Sequence, residues 1–194
     1  MRVLIVYAHP LGDSFNAALN ARLREALLAR GHEVDNCDLY AEGFDPVLSP
    51  NDLRVYRDVA MNRRRVAPHV DRLLAAQGLV LVFPVWNEGF PAILKGFLDR
   101  VFLPGVAFER TTDGSTQPGL RDLEKIAAVC TYGGGRLATL LMGDPTRHVV
   151  KRLLRAMARR SVRCDYLALY GMDQASPRQR AAFNGKVHRT FLSW

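Results

Sequence analysis

The sequence predicts an α/β protein: a five-stranded parallel sheet in the order 2-1-3-4-5, covered by helices on both faces as a three-layer sandwich. Three observations lead there. Short β-rich apolar runs alternate with longer amphipathic stretches. Two of the runs, Val3–Ala8 and Leu79–Phe83, are continuously apolar, the pattern of strands buried on both faces. Across 194 residues there is neither an internal repeat nor a linker, so residues 1–194 are expected to form one domain.

Each element has its own reason. Val3–Ala8 is the first strand, and Ser14 can cap the helix after it, where Phe15, Leu19, Leu23 and Leu27 recur every four residues. Gly31 stands where a helix C-cap belongs, and His32–Leu39 reads as a more polar strand toward the sheet edge. Phe44–Asp52, with Pro46 and Pro50, reads as loop, and Asp58–Gln77 as a basic amphipathic helix interrupted near Pro68. Leu79–Phe83 is the most hydrophobic strand. Pro91–Phe102 is a helix with a broad apolar face, and residues 104–123, punctuated by Pro104, Gly105, Gly114, Pro118 and Gly119, read as a loop excursion. Lys125–Thr131 is the fourth strand, Pro145–Arg160 its helix, and Arg163–Tyr170 the fifth strand. In the last helix Ser176 is the N-cap, Pro177 takes the first helical position, and Gln179 completes a capping box.

Composition narrows the class. Hydrophobic residues make up 48% of the chain, too many for a disordered protein. The apolar runs are strand-length, far short of the ~20 residues of a membrane helix. Met1-Arg2 leads straight into Val3 with no signal-like region, and Cys37, Cys130 and Cys164 are scattered without metal spacing. These features predict a cytoplasmic protein with buried, reduced thiols. Lys and Arg outnumber Asp and Glu 27 to 19, for a net charge of +8. Arg63–Arg65 and the set Lys151, Arg152, Arg155, Arg159, Arg160 and Arg163 carry the dense charge. Nucleic acid, a membrane surface and small anionic ligands all remain open on charge alone.

Ligands of such sheets bind beyond the carboxyl ends of the strands, near the point where strand order reverses. That rule selects three segments. Ala8–Asn16 lacks both a P-loop and a Gly-x-Gly-x-x-Gly turn, yet it ends at a helix N-terminus suited to an anion, with His9, Ser14 and Asn16 adding side-chain donors. Pro84–Pro91 brings Trp86, Asn87 and exposed backbone to the end of the central strand, a mixture that suits a planar heteroaromatic ring. Trp86 would otherwise be core. Thr131–Arg136, with Gly133, Gly134 and Gly135, allows a ligand close to the backbone.

Gly12-Asp13-Ser14 resembles the nucleophile block of the GDSL esterases. Those enzymes carry Asp-x-x-His near the C-terminus, whereas here Gly185 stands three residues before His188. Without a base the nucleophile is inert, and an ordinary serine hydrolase is excluded.

Taken together, several blocks resemble the flavodoxin-2 group of NAD(P)H:quinone oxidoreductases, the DT-diaphorase and modulator-of-drug-activity type, with its flavodoxin-like fold. They are Ala8-His9-Pro10 with Ser14-Phe15-Asn16, Asp38-Leu39-Tyr40 with Phe44-Asp45-Pro46, and Phe83-Pro84. Pro91-Ala92-Ile93-Leu94-Lys95-Gly96 with Asp99-Arg100-Val101-Phe102, and Thr131-Tyr132-Gly133-Gly134, complete the set. The resemblance implies that His9, Ser14, Phe15 and Asn16 bind the phosphates of FAD or FMN. It implies that Pro84, Val85, Trp86 and Asn87 border the isoalloxazine ring, and that Thr131, Tyr132, Gly133 and Gly134 line its other polar edge. It further implies a homodimer, NAD(P)H as co-substrate, and ping-pong hydride transfer to a quinone-like acceptor.

There are departures. Where better-known relatives carry a Tyr and a His that support charge in the reduced flavin, this chain has Thr139 and Pro145. His148 lies three residues further on and is the one stand-in, otherwise a surface histidine. Glu88 puts a carboxylate near the ring loop. The family also supplies a flavin-containing ancillary subunit of a membrane potassium-efflux system, which is the alternative expectation and would add a peripheral membrane-protein partner. Nucleic acid is not expected.

Overall fold

The computed structural model describes residues 1–194. In chain order the first elements are β1 (Arg2–Tyr7), α1 (Phe15–Ala29), β2 (Glu33–Asp38), α2 (Pro50–Arg54), α3 (Ala67–Leu74), β3 (Gly78–Val85) and α4 (Ala92–Val101). The small strands β4 (Phe108–Arg110) and β5 (Thr116–Pro118) follow, then β6 (Lys125–Tyr132), α5 (Arg136–Leu141), α6 (Pro145–His148), β7 (Arg163–Leu169) and α7 (Pro177–Leu192).

The main sheet has five strands in the order β2-β1-β3-β6-β7, all parallel. This is the 2-1-3-4-5 order the sequence predicts, with β6 and β7 as its fourth and fifth strands. Alternating side chains divide the core. Val3, Ile5 and Tyr7 of β1 face Leu19, Leu23 and Leu27 of α1 and Phe183, Val187 and Phe191 of α7. Leu4, Val6 and Ala8 face the opposite layer, with Leu94, Phe97 and Val101 of α4. All eight residues of β3 are buried, as befits the central strand.

The predicted caps form. Ser14 Oγ accepts from Ala17 N at 3.1 Å, and the Ser176–Gln179 capping box is complete. Gly31 takes a φ of +75° after α1, where glycine avoids the Cβ clash.

Four segments differ from the expectation. The 44–52 loop ends in α2, because Ser49 and Asp52 form a capping box and Pro50 sits at its first turn, where proline favours a helix. The helix expected over Asp58–Gln77 shrinks to a 3-10 turn at Arg64–Val66 and α3. Upstream of it, the buried Asn62 amide donates to Tyr56 O and Pro104 O and pins a turn instead. The 104–123 excursion contains an antiparallel ribbon, β4–β5, turned at Asp113-Gly114 with Gly114 at φ +83°. The helix expected over Pro145–Arg160 begins as α6 but loosens into a π-helical stretch at Val149–Leu154. Cys37 and Cys130 are buried as expected, while Cys164 is only half-buried; all three are free thiols.

Candidate functional site

The carboxyl ends of β1, β3 and β6 deliver their loops to one edge of the sheet. At the end of β1, His9 Nδ1 meets the Leu11 backbone, 3.0 Å from its N and 3.2 Å from its O, which leaves Nε2 without a partner in the protein. The N–H groups of Gly12, Asp13, Phe15 and Asn16 donate no hydrogen bond within the protein. Together with the dipole of the 15-residue α1, they gather partial positive charge at this loop, the physical requirement for holding an anion.

One side chain behaves otherwise than the sequence suggests. Asn16 is buried, and its Nδ2 donates to Thr131 Oγ1 at 2.9 Å. Its amide is therefore committed to bridging the first and third loops, and only its backbone N–H remains for a phosphate. Thr131 is buried beneath that bridge, and Phe15 packs partly into the α1–α7 layer.

Between the second and third loops lies a cavity of about 540 Å³, lined by Val85, Trp86, Asn87, Glu88, Tyr132, Gly133, Gly134 and Met142. Trp86 is 43% exposed, so it is a wall of the cavity rather than core. Its ring lies 6.2 Å from that of His9, which links the cavity to the first loop. Pro84, which pairs with Thr131, lies one step below the cavity and is buried.

The ring loop is a two-residue turn. Trp86 N donates to Gly89 O at 3.1 Å and Gly89 N to Trp86 O at 2.9 Å. Asn87 and Glu88 between them take φ of +50° and +57°. The turn leaves the N–H groups of Asn87 and Glu88 without acceptors, and those of Gly133 and Gly134 are equally free. A ligand edge entering between the two loops therefore meets four unused donors.

A hydrogen-bonded knot braces the cavity floor, and sequence reasoning missed it. Asp144 is buried at φ +43° and caps α6. Its carboxylate accepts from Tyr132 OH at 2.6 Å and Tyr170 OH at 3.2 Å. The Tyr132 and Tyr170 rings stack at 4.6 Å. Burial pushes the Tyr132 and Tyr166 phenols up, so both stay protonated and serve as fixed donors. Asp144-Pro145 is an N-cap followed by a first-turn proline, a signal that could have found the knot.

The departures fall into place separately. His148 is exposed on α6, a surface histidine. Thr139 is buried with its Oγ1 unpartnered, and Glu88 Oε2 is also buried without a partner.

A second cluster lies elsewhere. Cys37, Glu42 and His69 bring a thiol, a carboxylate and an imidazole within 4.8 Å of one another. Arg72 already takes Glu42 at 2.7 Å and Asp35 at 2.6 Å, so the cluster is an internally compensated clamp between β2 and α3. Burial pushes the Cys37 thiol up to about 12.

Fold and edge together define a flavodoxin-like α/β protein whose free N–H groups at the start of α1 lie on the same sheet edge as the cavity walled by Trp86. Comparison with known proteins agrees. The flavodoxin-2 family model, described as flavodoxin-like fold, matches residues 1–192. The uncharacterized NAD(P)H oxidoreductase YcaK of Escherichia coli is 34% identical, over 98% of this chain and 90% of that protein. NAD(P)H dehydrogenase [quinone] 1 of Rattus norvegicus is 33% identical over 72% of this chain, which spans 56% of the rat protein's length. The crystal structure of Smu.1420 from Streptococcus mutans superposes with a TM-score of 0.89 at 30% identity, covering all of both chains. The chain belongs to the NAD(P)H:quinone oxidoreductase family of the flavodoxin-2 type.

Proposed function

We propose that this protein is a flavin-dependent NAD(P)H oxidoreductase that passes a hydride to a quinone or similarly flat acceptor, by ping-pong exchange through one site. One observation carries the reading: a single sheet edge joins an anion site at the start of α1 to a cavity ringed by unused donors. A phosphate-bearing planar ring, FAD or FMN, uses both ends at once. The names of the Escherichia coli and rat relatives support the same class of chemistry.

The chain's residues fit that group. Backbone N–H groups of Gly12, Asp13, Phe15 and Asn16, with His9 Nε2, would hold the phosphates, while Ser14 keeps the helix end in place. Trp86 and Val85 would border the ring, and the donors of Asn87, Glu88, Gly133 and Gly134 would meet its polar edge. The bound flavin supplies the hydride relay that no side chain can perform. The protein's part is to seat two flat substrates in turn against one face and to keep water away from it.

A homodimer fits the same reading. Leu137, Leu140, Leu141 and Met142 project from α5 and its end into solvent, beside the cavity that Met142 lines. An apolar patch of this kind marks an interface, and a homodimer would cover it. No helix is long and apolar enough to cross a membrane. The cytoplasm, where thiols such as Cys37 and Cys130 stay reduced, is the expected compartment. The potassium-efflux subunit is not favoured, because the relatives named above are oxidoreductases.

Purification tests the reading directly. The protein is expected to be yellow, and heating is expected to release FAD or FMN. A colourless protein that neither flavin reconstitutes would overturn it.

A further inference from the structure

Glu88 is in the wrong place for a merely structural residue. It occupies the second central position of the Trp86–Gly89 turn at φ +57°, where glycine is the usual occupant and a side chain is strained. Its Oε2 is buried without a hydrogen-bond partner. No salt bridge relieves the charge. A Cβ on Gly134 would lie 3.9 Å from Glu88 Oε1 and 4.0 Å from Thr139 Oγ1, and that hydroxyl is buried and unpartnered too. Strain and an orphaned carboxylate at the same residue point to a ligand that uses it.

The surrounding chemistry selects the ligand group. The unused N–H groups of Asn87, Glu88, Gly133 and Gly134 are donors, and Glu88 carries the one carboxylate among the cavity-lining residues. Donors flanking a single strong acceptor complement an imide edge, in which an N–H sits between two carbonyls. The flavin ring carries such an edge. We propose that Glu88 is a specificity-determining residue that accepts the imide N–H of the flavin, with Thr139 as its hydroxyl neighbour. The inference rests on the flavin reading above and names the residue that selects the ring.

The test is a titration of apoprotein with FMN and FAD, and with the N3-methyl derivative of each, followed by ring fluorescence. Wild-type protein is expected to bind the methylated flavins roughly ten- to hundredfold more weakly, since a charge-assisted hydrogen bond is lost. Glu88→Leu is expected to weaken the parent flavins by a similar factor and to abolish the discrimination. Glu88→Gln keeps a carbonyl acceptor and is expected to retain part of it.

Glu88→Gly adds a readout free of flavin. Glycine takes the left-handed turn without strain, so the apoprotein of this variant is expected to melt at a higher temperature than wild type. Equal binding of methylated and parent flavins by wild type would overturn the proposal. So would discrimination that survives in Glu88→Leu, or a Glu88→Gly apoprotein that melts lower. If wild type binds no flavin at all, the flavin reading falls and takes this one with it. Flavins that bind but do not report Glu88 overturn this proposal alone.

Discussion

Asn16 and Thr131 stand 115 residues apart in sequence, and the Asn16 amide donates to the Thr131 hydroxyl at 2.9 Å. That bond fixes the start of α1 to the end of β6, and so ties the proposed phosphate loop to the cavity behind Tyr132. Thr131→Val would leave the buried Asn16 amide without an acceptor. We expect a loss of about 1–3 kcal/mol in a denaturant titration, together with weaker flavin retention. Asn16→Asp puts a buried carboxylate at the bridge, next to the free N–H groups, and is expected to weaken flavin binding and to lower stability as well. Unchanged flavin affinity in both variants would remove this bridge from the site.

Trp86 is 43% exposed, so its truncation removes little core. Trp86→Ala is expected to change unfolding free energy by no more than about 0.5 kcal/mol, while altering flavin absorbance and the rate of reduction. A large loss of thermal stability with an unaltered spectrum would return Trp86 to the core.

Gly96 lies on the α4 face that meets the 45–46 loop, and a Cβ there would come within 2.3 Å of Pro46 O. On the next turn the buried Arg100 guanidinium binds the Asp45 carbonyl and contacts the Asp52 carboxylate at 3.4 Å. Gly96→Ala must push the loop away. We expect a cost of about 1–3 kcal/mol, read as a lowered melting temperature. A neutral Gly96→Ala would show that the loop is free to move.

His69 gives the fold a defined response to acid. Burial holds its imidazole below the usual 6.5, against the pull of Glu42, with Arg72 and Arg100 adding to the downward shift and the Phe44 and Phe97 rings packed against it. Below pH 6.5 the unfolded chain takes up a proton that the folded one refuses. Stability should therefore fall as pH drops from 6.5 to the folded value, and level off beneath it. His32, also lowered chiefly by burial, contributes with the same sign. Denaturant titrations across this range are expected to show a shallower slope for His69→Gln. An identical slope would contradict the assignment.

The sheet and its edge were legible in the sequence because they rest on local signals. Val3–Ala8 and Leu79–Phe83 could only be buried strands, and Ser14 and Ser176 marked helix starts by their chemistry. The loops after β1, β3 and β6 follow from parallel topology alone. What escaped depends on contacts between distant segments. Asn16 read as a phosphate donor because nothing nearby reveals Thr131 as its partner. The Asp144–Tyr132–Tyr170 knot joins three segments, and Asn62 ends a helix by reaching Pro104. The α2 start at Ser49 and the Asp113-Gly114 turn were local signals hidden inside stretches read as loop.

The most direct test of the central account is an anaerobic stopped-flow experiment on the flavin-loaded protein. Mixing with NAD(P)H should bleach the flavin absorbance, and a second mixing with a quinone, after the nicotinamide is exhausted, should restore it in full. Loss and recovery of the colour in two separable steps is the predicted result. Flavin that stays oxidised in NADH and in NADPH, or that is reduced but never returns its electrons to a quinone, would contradict the account.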